Sequence, residues 1–223
     1  MDQKRTVIVT CESLTPEIKK VAPVGMEIRE IELGLHDIPS KLNQTLRSTL
    51  PQLEKEKDWD TVLLGFGLCS EGTVGLKTSR ATLVLPRVDD CIALFLGSRE
   101  SYLEQFERVP GTYYFTKGWL KDGFGPLAMY NGEHNWTQKY SKEKAEWIAR
   151  EMMKNYKRIA FIDTGAYDIT PYETKAKETA QVFGLDYEKI PGSLGYLEQL
   201  LNGPWDRRFL VLEPGQEITR AMF

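Results

Sequence analysis

Short apolar runs rich in β-branched residues alternate with amphipathic helical segments along most of the chain. Apolar runs of about four to eight residues are typical of buried strands, and apolar residues spaced three and four apart are typical of helices. Strands that alternate with helices pair in parallel through right-handed crossovers. The sequence therefore predicts an α/β fold, with helices on both faces of one or two parallel sheets. The predicted strands are residues 6–11, 26–33, 61–64, 82–85, 159–162, 187–190 and 209–212, and the predicted helices are residues 13–21, 42–53, 141–155, 170–183 and 193–201, with a further helix beginning at Cys91.

This pattern occurs twice, before and after an aromatic, glycine-rich segment. The sequence predicts two Rossmann-like lobes, residues 1–110 and 141–223, joined by an irregular lid or bridge at residues 111–140. One continuous doubly wound sheet is the alternative. A long irregular segment is usually functional, but we expect its aromatic rings to belong to a core, as aromatic clusters usually do. Pro51 is a possible break in the helix at residues 42–53.

Charge and composition narrow the class of protein. The chain has 223 residues and a net charge of -3, which argues against nucleic acid as a partner because phosphate binding requires a strong basic field. Its beginning resembles no signal peptide and no stretch is long enough to span a bilayer, so we expect neither export nor membrane insertion. Three cysteines are too few for a disulfide framework, and the odd number suits a reducing cytoplasm.

The three cysteines are the strongest indication of a functional site. Cys11, Cys69 and Cys91 are far apart in the sequence, yet each follows a different predicted strand by only a few residues. Ligands of open parallel sheets bind in the crevice at the carboxyl ends of the strands, and adjacent strands lie about 4.8 Å apart. Burial of each cysteine in a core is the simpler interpretation. We nevertheless expect the three thiols to converge on one metal site.

Three converging thiolates allow several kinds of chemistry. They can hold a [4Fe-4S] cluster by three of its irons, which leaves the fourth iron open. They can bind Zn with one position open for a substrate thiol, or one of them can act as a nucleophile. Scattered cysteines favour the cluster, since structural zinc sites usually draw on local cysteine pairs.

Other residues near the predicted strand ends are candidates for the same site. The segment from Gly65 to Gly75 is unusually rich in glycine, and we expect it to fold closely around a cofactor or an anion. Three acid–base candidates lie in loops or at strand ends, of which the histidine could instead be a fourth metal ligand and the two acids could support the site from outside its ligands. His134 is expected at the surface. The candidate cofactor-binding residues are Gly65, Gly67, Ser70, Gly72 and Thr73, and the candidate catalytic residues are Glu12, His36 and Asp163.

Several short motifs are spread over the chain, at residues 35–36 with 39, 67–69, 72–76, 85–87, 90–92, 96–98, 111–114, 118–119, 191–194 and 205–206. Together they resemble an uncharacterised domain-of-unknown-function family of methanogens and bacteria. The resemblance covers nearly the whole chain, and the segments with cysteines carry it most specifically. The sequence departs from the family pattern beside two cysteines, where Asp89 replaces an expected histidine and Ser70-Glu71 replaces an expected Gly-Asn.

Genes of this family often lie beside genes for corrinoid-dependent methyl transfer. The resemblance therefore implies a role in methyl-group or corrinoid metabolism, with a corrinoid protein or methyltransferase and a small-molecule ligand as partners. The favoured prediction is a protein that depends on an iron–sulfur cluster, and more specifically an enzyme. The alternatives are a zinc thiolate methyltransferase-type enzyme and a non-catalytic partner or chaperone of a corrinoid protein. A two-lobed racemase is disfavoured because all three cysteines lie in the first half of the chain.

Overall fold

The computed structural model describes residues 5–35, 38–120, 124–134 and 137–223. The chain forms two compact units, one made of Met1–Arg99 with Leu194–Phe223 and the other of Glu100–Ser193. Both contain parallel strands that alternate with helices. The predicted α/β class is therefore confirmed.

The first unit contains a sheet whose order over the described residues is β2-β1-β3-β4-β8. Strands β1 to β4 are parallel, whereas β8 runs antiparallel to β4. This places the central strand β1 between β2 and β3, and every residue of β1 is buried. The strands are β1 (Thr6–Cys11), β2 (Glu27–Ile31), β3 (Thr61–Gly65), β4 (Thr82–Pro86) and β8 (Phe209–Leu212).

Helices of the first unit bury apolar faces that the sequence pattern predicts. In α2 (Pro39–Glu56) the leucines at 42, 46, 50 and 53 are all buried. Pro51 lies inside this helix and does not break it, because the buried leucines on either side hold both halves while the proline ring faces solvent. The other helices of this unit are α1 (Thr15–Val21), α3 (Ile92–Leu96) and α8 (Gly195–Asn202), with 3₁₀ turns at Glu12–Leu14 and Arg220–Met222.

The position of β8 differs from the sequence prediction in two ways. Regular alternation predicts a parallel strand in the lobe at residues 141–223, but β8 pairs antiparallel with β4 of the first unit. Its residues Phe209, Leu210 and Leu212 are buried there. The predicted boundaries at residues 110 and 141 therefore do not coincide with those of the compact units, since Leu194–Phe223 returns to the first unit.

The second unit has a parallel sheet of order β5-β6-β7 over its described residues. Phe115 and Phe161 are fully buried in its core, where Ala176 and Ala180 of one helix pack against them. Its elements are α4 (Arg99–Arg108), which begins at the boundary of the units, β5 (Thr112–Phe115), α5 (Gly125–Tyr130), α6 (Lys142–Met153), β6 (Arg158–Asp163), α7 (Thr170–Phe183) and β7 (Asp186–Pro191), with a 3₁₀ turn at Lys117–Trp119.

The aromatic segment is more regular than its composition predicts. It contributes the strand β5 and the helix α5, and its described residues belong to the second unit. Phe115 lies in the core of this unit, and Tyr113 and Trp119 pack against that core. The expectation that aromatic rings of the segment belong to a core is confirmed for these three. The segment is not irregular, because β5 pairs with β6, and its role as a lid or bridge stays a prediction. Trp136 lies outside the described residues.

The carboxylate of Glu54 holds the segment that leads into β4. It accepts backbone hydrogen bonds from Ser79, Arg80 and Ala81 at 2.7–3.1 Å, and the residue is only 6% exposed. Burial raises the pKa of this carboxyl, but the backbone donors outweigh burial and lower the pKa of Glu54 below its ordinary value. The carboxylate is therefore charged at neutral pH.

We expect Glu54→Gln to lower the free energy of unfolding by about 1.5–3 kcal/mol at pH 7, because hydrogen bonds to a charged acceptor are lost. A lowered folded-state pKa means that the stabilisation is complete above the unfolded-state pKa and disappears as pH falls through the folded value. Urea denaturation across the acid range measures this difference, which should shrink on acidification. Glu56→Gln, on the exposed pair with Arg29, is the control and should cost less than about 1 kcal/mol. A pH-independent difference for Glu54→Gln would contradict the assignment.

Among the described residues, no helix combines the length and the apolar character that crossing a membrane requires.

Candidate functional site

The three cysteines lie at the carboxyl ends of three adjacent strands of the first unit. Cys11 is the last residue of β1, Cys69 lies in the loop after β3, and Cys91 directly precedes α3 after β4. The parallel strands have the order β2-β1-β3-β4, so the chain winds to one side from β1 to β2 and to the other side from β3 to β4. Doubly wound sheets bind ligands at this switch point, outside the carboxyl ends of the strands.

A cavity of about 440 Å³ lies at this switch point. All three thiols line it, and none of them forms a disulfide. The wall combines sulfur and carboxylate groups with two apolar side chains, and lysine, arginine and histidine are missing from its described lining. The lining residues are Cys11, Phe66, Leu68, Cys69, Ser70, Asp89, Asp90 and Cys91.

Burial raises the pKa of each thiol. The pKa of Cys69 rises to about 12, and the pKa values of Cys11 and Cys91 rise as well. Mutual repulsion adds to burial, because the charge of Cys69 raises the pKa of Cys91 and the charge of Cys11 raises the pKa of both. The thiols are therefore protonated at neutral pH, and a bound cation would have to displace their protons.

Each sulfur also has a hydrogen-bond donor that partly offsets burial. The Ser13 hydroxyl donates to Cys11 Sγ at 3.1 Å. Backbone hydrogen bonds from Gly67 to Cys69, and from Cys91 to its own sulfur, lower the pKa of these two thiols. Donors of this kind stabilise thiolate over thiol, so the local backbone suits sulfurs that act as ligands.

The loop after β3 has an unusual backbone. Cys69, Ser70 and Glu71 are three consecutive non-glycine residues with positive φ, at 47°, 53° and 73°. Each such residue costs of order 1–3 kcal/mol and persists only where the surrounding structure enforces it. The loop therefore presents Cys69 and Ser70 to the cavity in a conformation that the neighbouring segments must impose.

Contacts with the loop after β4 impose part of this conformation. The backbone N–H of Leu68 donates to Val88 O at 2.8 Å, and that of Cys69 donates to Asp89 O at 2.9 Å. These bonds require Gly67, since a Cβ there would lie 2.5 Å from Val88 O. The two loops that carry Cys69 and Cys91 are thus joined backbone to backbone.

Helix α2 and the C-terminal segment hold the other side of the loop. Asn43 Nδ2 donates to Gly72 O at 3.0 Å and to Val74 O at 2.7 Å. The backbone N–H of Gly75 donates to Ile218 O at 2.8 Å. Gly72 packs closely against the helix and the loop, because a Cβ there would lie 2.6 Å from Leu42 Cδ2 and 3.0 Å from Cys69 O. The cysteine loop is therefore anchored from three directions.

Thr73 closes the loop from within. Its buried hydroxyl donates to Gly67 O at 3.0 Å and lies 3.4 Å from Leu68 O. We expect Thr73→Val to lower the free energy of unfolding by about 1–3 kcal/mol, because a buried carbonyl loses its donor. It should also speed the reaction of Cys69 with a thiol reagent. Thr73→Ser keeps the hydroxyl and should behave like the native protein. Equal reactivity and stability in Thr73→Val would show that the hydroxyl does not hold the loop.

The predicted cofactor-binding residues have different positions. Ser70 lines the cavity. Gly67, Gly72 and Thr73 support the loop from behind, as described above. Gly65 allows β1 and β3 to pack closely, because a Cβ there would collide with Thr10. The contacts of Gly67, Gly72 and Thr73 position the loop and that of Gly65 joins two strands, whereas any contact with a cofactor stays a prediction.

The predicted catalytic residues do not gather around the cavity in the described structure. Glu12 follows Cys11 but accepts a hydrogen bond from the Leu33 backbone N–H at 3.2 Å, and the cavity lining does not include it. Asp163 belongs to the second unit, where its carboxylate accepts from Gly165 N–H at 3.1 Å. His36 lies outside the described residues. Their catalytic roles stay predictions.

Two features of the site have only weak sequence signals. Ser13 is two residues beyond Cys11, and a serine after a strand indicates a helix cap more often than a sulfur contact. Asn43 lies in the middle of α2, where only the fold brings it to the loop. Within residues 5–35, 38–120, 124–134 and 137–223, no group of three or more His, Cys, Asp or Glu side chains could hold a metal ion as the side chains stand.

Fold and cavity together define an α/β protein with three free thiols at the switch point of a doubly wound sheet. No curated protein and no solved structure matches the chain. Residues 31–201 match the family described as "Protein of unknown function (DUF1638)". The chain belongs to this family, which agrees with the resemblance to an uncharacterised domain-of-unknown-function family.

Proposed function

We propose that this chain is a metalloprotein in which Cys11, Cys69 and Cys91 hold a [4Fe-4S] cluster by three irons and leave the fourth iron open. One observation carries the proposal, namely that three thiols from three separate strand ends line the same cavity. The switch-point position supports a ligand site as well.

The origin of the cysteines supports a cluster over a single zinc ion. Structural zinc sites usually draw on local cysteine pairs, whereas Cys11, Cys69 and Cys91 come from three separate strand ends. In a cluster each thiolate binds a different iron, which suits thiols that reach one cavity from separate strands.

The electrostatics of the wall fit a cation-containing group. Three neutral thiols with raised pKa values would release protons when they bind iron, and the donors at Ser13 and Gly67 would then face thiolate sulfurs. Hydrogen bonds to ligand sulfurs tune the reduction potential of iron–sulfur clusters. A bound cluster would supply a Lewis-acidic or redox-active iron at the position that no cysteine occupies.

The proposed biological role is methyl-group or corrinoid metabolism, in the cytoplasm, as an enzyme acting on a small molecule. The pathway and a corrinoid protein or methyltransferase as partner rest on the family resemblance alone. The cytoplasmic assignment is supported by the three free thiols, since oxidising compartments favour disulfides.

Anaerobic purification followed by metal and sulfide analysis tests the proposal. We expect a brown protein with about four iron and four sulfide ions per chain after reconstitution. A colourless protein with one tightly bound zinc ion would replace the cluster by the zinc alternative. Failure to bind either metal under anaerobic conditions would overturn the metalloprotein proposal and favour a partner or chaperone role.

A further inference from the structure

The C-terminal segment, residues 213–223, lies along the stretch of chain that follows the cysteine loop. The backbone N–H of Gly75 donates to Ile218 O at 2.8 Å, and the backbone N–H of Ile218 donates to Leu76 O at 2.9 Å. These two bonds lie only a few residues beyond Cys69. The C-terminal segment is therefore joined backbone to backbone to the end of the cysteine loop.

Ile218 is the apolar anchor of this contact. Its side chain is fully buried, and among residues 213–223 it alone is buried. A further backbone bond joins Gly215 N–H to Thr78 O at 2.8 Å. A segment held by one buried side chain and a few backbone bonds can open locally, because the core of the unit does not depend on it.

An ion pair connects the segment to the cysteine loop itself. Arg220 Nη1 lies 2.9 Å from Glu71 Oε1, and both side chains are more than half exposed. Exposed pairs of this kind contribute little, because water and salt screen them. The backbone bonds and the burial of Ile218 are therefore the main contacts between the segment and the loop.

Backbone strain in the loop opposes these contacts. Cys69, Ser70 and Glu71 all have positive φ angles, which residues other than glycine keep only where their surroundings enforce them. A relaxed segment stays near its place when one contact is lost, because nothing drives it away. A strained segment moves toward more favourable angles, and Cys69 would move with it as one of the three strained residues.

We infer that the C-terminal segment is a latch on the cysteine loop. While Ile218 is buried, Cys69 lines the cavity together with the other two thiols. When the segment detaches, the loop relaxes and Cys69 leaves the cavity wall. Cys11 stays in place, because it ends the fully buried central strand β1. The latch goes beyond the proposed cluster, since it controls the position of Cys69 with or without a bound metal.

Alkylation of the reduced, metal-free protein with iodoacetamide tests the latch. Peptide mass spectrometry gives a separate rate for each cysteine, so local opening is distinguished from unfolding of the whole unit. Ile218→Ala removes most of the buried anchor, Ile218→Val keeps most of it, and Arg220→Ala removes only the exposed ion pair. Leu197→Ala is the control, because Leu197 is fully buried in α8 of the same unit.

We expect Ile218→Ala to raise the alkylation rate of Cys69, relative to that of Cys11, at least about tenfold, because a large buried side chain is truncated. Ile218→Val should give a clearly smaller increase. Arg220→Ala should raise the relative rate less than about fivefold, since the pair is exposed. Leu197→Ala should leave the ratio of the two rates as it is in the native protein.

The ratio of the two rates also decides against the latch. The same ratio in Ile218→Ala and Leu197→Ala would overturn it, because the C-terminal segment would then stabilise only the unit as a whole. That result would leave the proposed cluster untouched, since metal and sulfide analysis of the native protein tests the cluster separately.

Discussion

Replacing Cys11, Cys69 or Cys91 by serine is expected to remove the visible cluster absorbance and nearly all the iron of the anaerobically reconstituted protein. Each thiol occupies a different strand end of the same cavity, so the remaining two cannot hold three irons. A serine hydroxyl is a harder and less acidic ligand than a thiol, and iron–sulfur clusters prefer thiolates. Iron and sulfide analysis with an absorbance spectrum of each variant measures the effect.

Ser13→Ala is the matched control for these three variants. It removes the hydroxyl that donates to Cys11 Sγ but leaves every thiol in place. We expect this variant to keep its iron and to show a changed reduction potential, because it loses a hydrogen bond to a ligand sulfur. Full iron content in any two of the three Cys→Ser variants would defeat the cluster proposal. Urea denaturation of the metal-free variants separates loss of a ligand from loss of the fold.

Glu188→Ala is expected to lower the free energy of unfolding by about 3 kcal/mol, the lower end of the range for breaking a buried pair. The side chain of Arg158 is 3% exposed and pairs with Glu188, whose side chain is 37% exposed. Removing the carboxylate leaves the buried guanidinium with the neutral acceptors Thr112 Oγ1 and Gln105 Oε1. We expect the lower end of the range of energies because the side chain of Glu188 is partly exposed to water.

Urea denaturation at neutral pH measures this loss. Glu151→Ala removes one partner of the exposed pair with Lys154 and should change stability by less than about 1 kcal/mol. Burial raises the pKa of Glu188, but hydrogen bonds from Arg108 and Arg158 outweigh it and lower the pKa. The difference between native protein and Glu188→Ala should therefore disappear in strong acid. A loss of unfolding free energy as small as that of Glu151→Ala would show that water replaces the carboxylate as a partner of the guanidinium.

The strands and the thiol positions could be predicted because both depend on local patterns. Apolar β-branched runs mark β1, β3 and β4, and the residues that follow them lie at one edge of a parallel sheet. The adjacency of these strands then follows from the common doubly wound order. The convergence of Cys11, Cys69 and Cys91 on one cavity is therefore a consequence of topology and needs no local cysteine motif.

Features that depend on distant segments could not be predicted in the same way. The pairing of β8 with β4 has no local signal, because a short apolar run indicates neither the direction of a strand in a sheet nor the unit to which it belongs. The positive φ angles of Cys69, Ser70 and Glu71 oppose the preferences of these residues and are imposed by Asn43, Val88 and Ile218. His134, expected at the surface, is 5% exposed, and its ring packs edge-on to Phe124 at 5.7 Å.

The late return of the chain to its first sheet has a consequence for biosynthesis. Strand β4 ends at Pro86, whereas its partner β8 begins at Phe209. At about 5–20 residues per second, a ribosome takes roughly 6–25 s to make the residues between them. During that interval the nascent β4 presents an open apolar edge, the kind that recruits strands from other chains. We therefore expect aggregation during translation to be greatest while the second unit is being synthesised. Holdase chaperones should have their largest effect in the same period.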